Sequence, residues 1–112
     1  TADGAAIGQA SLADFRRLVG VVSTLGRGGV VGNLGSAVIL PEVFLKAVSI
    51  ARNLGHPVKD FTAADLDMIQ HYRPSQNVLS RPTALGGQAI SLTGHHEILV
   101  PLLYAAVMEK LK

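Results

Sequence analysis

Apolar residues at Leu12, Phe15, Leu18, Val19, Val22 and Leu25 recur every three or four positions. That spacing places them on one face of a helix. Ser11 heads this predicted helix, with Asp14 three residues on in the spacing of a capping box. The segment GRGG at 26–29 ends it, because glycine takes the left-handed C-terminal conformation at little cost. Val30 to about Leu34 then reads as a short strand. Gly32, Gly35 and Ser36 interrupt the pattern where a bulky side chain would block close approach. Ala37–Leu40 either extends the strand or floors a turn. Pro41 suits the first turn of a second helix, and Glu42 suits the positive end of its dipole. Val43, Phe44, Ala47, Val48, Ile50 and Ala51 give that helix the broad apolar face needed to pack on a sheet, and Asn53-Leu54-Gly55 closes it.

The second half of the chain is less regular. Residues 58–69 read as a buried strand followed by a loop, the expected sequel to a strand–turn–helix unit. A short helix capped by Thr62 and Asp65 is the alternative. QHYRP at 70–74 is polar and stops at its proline. Val78-Leu79 reads as a short extended piece, Gly86-Gly87 as a turn, and Ala89, Ile90 and Leu92 as another strand. A last helix starts near His96 or Glu97, with Leu99, Leu102, Leu103, Ala106 and Val107 on one side. Such a start puts Pro101 in the first turn, where its missing N–H costs little. Residues 1–10, TADGAAIGQA, read as a glycine-containing loop able to bring backbone N–H groups to a ligand. The whole, residues 1–112, reads as one α/β domain or as the C-terminal part of a larger one.

Composition changes that picture in one respect. Hydrophobic residues make up 48% of the chain and charged ones only 16%, which is apolar for a domain with so much surface per volume. The excess calls for a partner subunit or a further part of a larger protein. The formal net charge is +2, and the basic residues are scattered singly, so nucleic acid is not indicated. There are no cysteines, which excludes disulfides and thiolate chemistry. No apolar run reaches membrane-spanning length, and the N-terminus lacks a signal pattern. A cytoplasmic location is the expectation.

Three places carry candidate chemistry. The turn Gly32-Asn33-Leu34-Gly35-Ser36 lies between strand and helix, as phosphate-cradling loops do. It is neither a dinucleotide fingerprint, because the glycine spacing is wrong, nor a P-loop, because Lys and Ser/Thr do not follow the last glycine; ligand contact and tight packing are both open. His95-His96-Glu97 resembles the start of a zinc-protease motif, but Val100 stands where the second histidine belongs. One histidine with Glu97 as orienter would serve acid/base work, and a plain helix start is the alternative. A metal would need ligands from elsewhere, such as His71 or Asp67, whose spacing gives no support. Arg73 and Arg81 could each clamp an anion. Asp65 and Asp67 point the same way on a strand, as paired carboxylates or as surface charges.

The stretches TADGAAIG, GGVVGNLGSAVILPEVFLKAVSIARNLG, QHYRPSQNVLSRPT and LTGHHEILVPLL together resemble the C-terminal part of a bacterial protein group related to deoxyhypusine synthase. The resemblance implies a Rossmann-like, three-layer parallel sheet that binds NAD in a homo-oligomer. Asp3, Gly4, Asn33, Gly35 and Ser36 would then contact the cofactor, and His95, His96 and Glu97 would face the substrate as catalytic residues. It also implies longer relatives, with Thr1 beginning inside a binding loop. Departures limit the reaction: Leu102-Leu103 stands where the synthase has its catalytic lysine, and the chain has no tryptophan. The alternatives are a non-catalytic oligomerisation or regulatory domain and a metal-dependent hydrolase built on His95, His96 and Glu97.

Overall fold

Three parallel strands in the order β1-β2-β3 organise the computed structural model, which describes residues 3–112. They are β1 (Val30–Leu34), β2 (Thr62–Asp67) and β3 (Gln88–Thr93). Register runs from Val30 beside Thr62 and Gln88 to Leu34 beside Leu66 and Leu92. Side chains alternate across a sheet. Val31 and Asn33, Ala63 and Asp65, and Ala89 and Ser91 therefore share one face, while Leu34, Leu66 and Leu92 share the other. Parallel neighbours need a crossover. Helix α2 (Ile39–Asn53) supplies the first, and a helical segment through residue 83 supplies the second. The α/β class and the parallel sheet are as expected.

The core lies between the first face and these crossovers. Phe44, Ala47, Val48 and Ala51 of α2 are buried against Val58, Phe61, Ala63, Val78 and Leu79. Phe44 and Phe61 meet edge-to-face, with centroids 6.3 Å apart, a geometry worth about 1 kcal/mol beyond its area. Helix α2 ends as its sequence predicts: Gly55 has φ +94°. Its N–H donates to the Arg52 carbonyl, and that of His56 donates to the Ala51 carbonyl. This double bond pattern is a Schellman motif.

Four expectations are corrected. Residues 4–10 are not a loop: helix α1 runs Gly4–Val22, and the Asp3 carboxylate caps it by accepting from the Ala5 N–H at 3.0 Å. Three alanines and this cap outweigh two glycines that each cost about 1 kcal/mol. Thr1 and Ala2 lie outside the described residues. Val78-Leu79 is not extended; it belongs to a π-helical stretch, Pro74–Ser80, that runs into a single turn, α3 (Arg81–Thr83). Pro74 starts that segment rather than ending one, since a proline in a first turn forfeits no bond. Of the two readings left open for Asp65, the surface charge is excluded, since it is 0% exposed. Finally, helix α4 spans His96–Lys110, so Pro101 is its sixth residue and lies past the turn whose N–H groups are free.

Helix α4 stands on the opposite face. Leu99, Leu102, Leu103 and Ala106 border a groove with Leu66 and Leu92, the side expected for them, yet α4 buries no residue. Among the described residues no helix is long and apolar enough to cross a membrane.

Candidate functional site at the carboxyl edge of the sheet

Asn33 and Asp65 are register partners near the carboxyl ends of β1 and β2, and both are buried. The Asn33 amide spends both N–H groups there. One donates to Asp65 Oδ1 at 2.7 Å and the other to the Ser36 carbonyl at 2.9 Å. The first links two strands; the second folds the turn back over β1. Ser36 then caps α2, its Oγ accepting from the Leu40 N–H at 3.1 Å.

These bonds leave oxygens over. Among the described residues, the buried acceptors Asn33 Oδ1, Asp65 Oδ2 and Gln70 Oε1 have no partner. Gln70 belongs to the same edge, because its amide N–H groups donate to the Leu92 carbonyl at 3.2 Å and to Thr93 Oγ1 at 3.3 Å. Burial raises the pKa of Asp65; the Asn33 bond opposes that, Asp67 adds to it and His71 opposes it. A carboxyl above its usual range, beside unpaired acceptors, suits donors such as hydroxyl or amide N–H groups.

The turn and the last helix meet at the same edge. The Leu66 carbonyl, on β2, accepts from the Gly35 N–H at 3.2 Å and from His96 Nε2 at 2.8 Å. A carbonyl only accepts, so Nε2 carries the proton and Nδ1 is the ring nitrogen left over. Gly35 has φ +76°, and a Cβ there would lie 2.9 Å from His96 Cε1. Close packing and a left-handed backbone both require glycine at 35.

The other candidates disperse. His95 is the exposed N-cap of α4 and makes no capping bond with its side chain. Glu97 is exposed in the first turn, and at about 3.6 residues per turn it projects opposite Leu99, Leu102 and Ala106. The three do not form one cluster. Asp3 and Gly4 do not join the turn either. Val21 and Val22 of α1, and Leu25 just after it, lie near Leu40 and Phe44 at the start of α2, whereas Leu12 and Phe15 lie near Ile50 and Leu54 at its end. Running helically, residues 3–10 carry Asp3 further that way, about 28 Å along α1 from Val22. Of the residues assigned to the cofactor and substrate, the Gly35 turn and His96 thus meet, and Asp3 and Gly4 lie apart from them.

Arg73 and Arg81 are drawn into protein contacts. Arg73 Nε lies 3.5 Å from Glu42 Oε1, which also accepts from Asn77 Nδ2 at 2.8 Å. Arg81 Nη1 donates to Asn77 Oδ1 at 2.7 Å. Among the described residues no three His, Asp or Glu side chains are grouped as a metal ion needs. The sequence reading missed how Asn33, Asp65 and Gln70 combine. Its available signal was a polar residue flanked by small or apolar ones within a short strand, as in VVGNL and TAADLD. No protein-family model matches this chain, and no curated protein or solved structure has a significant match to it.

Proposed function

We propose that this chain is a ligand-binding α/β unit of Rossmann-like type, related in arrangement to deoxyhypusine synthase, that takes a dinucleotide such as NAD at the carboxyl edge of its sheet. The observation that carries the reading is that Asn33 Oδ1 and Asp65 Oδ2, on register partners next to the Gly35 turn, are buried acceptors with no partner among the described residues, as is Gln70 Oε1 just after β2. Ligands of open parallel sheets sit at that edge, and an acidic side chain there suits ribose hydroxyls. The N-terminus of α2, next in the chain, favours the pyrophosphate. His96 acts as a wall of this site through its bond to Leu66. Any hydride transfer is the cofactor's chemistry, and the protein positions it. Transfer to a protein lysine is not part of the proposal, because Leu102-Leu103 occupies the place of the synthase's lysine.

Calorimetric titration of the full chain with NAD tests this. Saturable heat that weakens on Asp65→Ala supports it, and absence of heat at millimolar NAD overturns it. A second reading, a non-catalytic assembly domain, is favoured by one observation: α4 is apolar on every side and buries nothing.

A further inference from the structure

The chain exposes 7382 Å², whereas a folded monomer of 11.7 kDa exposes about 5,900 Å². Its radius of gyration is 15.2 Å against about 13 Å for a domain of this length. The surplus of about 1,500 Å² exceeds the roughly 800 Å² that each partner contributes to a standard interface. Part of it is the projecting start of α1, which is polar and alanine-rich. A large share of the apolar part runs along α4, where Tyr104 is 66% exposed, and onto its C-cap Leu111, 75% exposed.

Helical spacing sorts the outer side of α4. Opposite the residues that border the groove lie Glu97, Pro101, Tyr104 and Met108, and the same spacing carried past the helix end brings Leu111 and Lys112 into one stripe with them. The stripe is apolar in its middle, acidic at its amino end and basic at its carboxyl end. A surface of this kind complements itself when turned end for end, as a two-fold axis requires. Antiparallel pairing also sets each helix dipole against the other. We infer that a second copy of this chain covers α4, with the two α4 helices antiparallel, the axis near Tyr104, and Glu97 facing Lys112 of the partner subunit. Lys112 lies 3.6 Å from Glu109 of its own chain; that exposed pair can be exchanged at little cost. This inference is independent of the ligand proposed for the sheet edge.

Sedimentation equilibrium of the full chain at micromolar concentrations is the test. The expected mass is twice 11.7 kDa, and Tyr104→Arg is expected to give a monomer with unchanged circular dichroism. Glu97→Lys and Lys112→Glu, each placing like charges together twice per dimer, are expected to weaken association about fivefold. The double variant is expected to restore it. A monomeric wild-type chain overturns the inference and leaves the face to a different protein. A dimer indifferent to Tyr104→Arg, or a charge exchange without restoration, overturns the antiparallel α4 pairing. Should Tyr104→Arg unfold, the charge exchange alone decides.

Discussion

Gly35 and His96 are in direct contact although 61 positions separate them in the chain. The imidazole lies where a side chain at 35 would begin, with Cε1 2.9 Å from a Cβ built there. Both residues donate to one acceptor, the Leu66 carbonyl. A substitution at 35 therefore acts twice. Gly35→Ala places an L-residue at φ +76°, costing about 1 kcal/mol, and pushes the ring off Leu66, forfeiting about another 1 kcal/mol. The expected loss is about 2 kcal/mol in urea denaturation. It should be accompanied by a changed Nε2 proton resonance for His96. A variant as stable as wild type, with that resonance unmoved, would contradict the contact.

Asp65 gives the fold a pH dependence of known sign. Its folded pKa is raised above the ordinary 3.8, first by burial. Between the unfolded and folded values the native state holds a proton that the unfolded chain has released, so stability falls as pH rises through that window. Above the folded pKa the loss is complete and level. Asp65→Asn removes the titration while its amide oxygen can still accept from Asn33. The variant's stability relative to wild type should rise from pH 4 to pH 7, at no more than about 1.4 kcal/mol per pH unit. Denaturant midpoints at the two pH values measure it; an equal difference at both would mean Asp65 is not shifted.

Much of this arrangement was legible from residue order, and the exceptions have physical causes. Helix α2 could be read because its apolar positions, its first-turn proline and its closing glycine all agree. The meeting of the Gly35 turn with His96 fits parallel strands that end at a common edge. The start of α1 was misread because glycines at 4 and 8 outweighed the neighbouring alanines in the reading, though not in the fold. Pro74 looked like a break, whereas it opens a helical segment. The Asn33–Asp65 pair was out of reach for another reason. It depends on strand register, which a sequence with several possible pairings does not specify.

Arg52 ties three segments together from the end of α2. Its Nε donates to the Val58 carbonyl at 2.8 Å and its Nη2 to the Pro82 carbonyl at 2.7 Å. The first carbonyl leads into β2 and the second belongs to the crossover towards β3, so one guanidinium fixes both connections. Arg52→Met keeps most of the aliphatic stem and strands two carbonyls, at a cost of about 2–3 kcal/mol. Arg52→Lys can serve one carbonyl at a time and should fall between wild type and Arg52→Met. Thermal denaturation of the three proteins sets the order. If Arg52→Lys matches wild type, the forked geometry is not what matters.

Pro101 sits where α4 would otherwise form an ordinary bond. The helix begins at His96, so an N–H at 101 would reach the carbonyl of Glu97, an exposed residue in the first turn. Proline supplies none, and its ring crowds that carbonyl, a combination that costs about 3 kcal/mol in a helix interior. Burial does little to offset it, because no α4 residue is buried within the chain. Pro101→Ala restores the donor, while a freer unfolded chain returns about 0.4–1 kcal/mol of the gain. Amide exchange from Ile98 to Leu103 should therefore slow by about tenfold or more, while exchange in β2 stays level. Unchanged exchange in α4 would mean that the bond missing at 101 does not limit the opening of the helix.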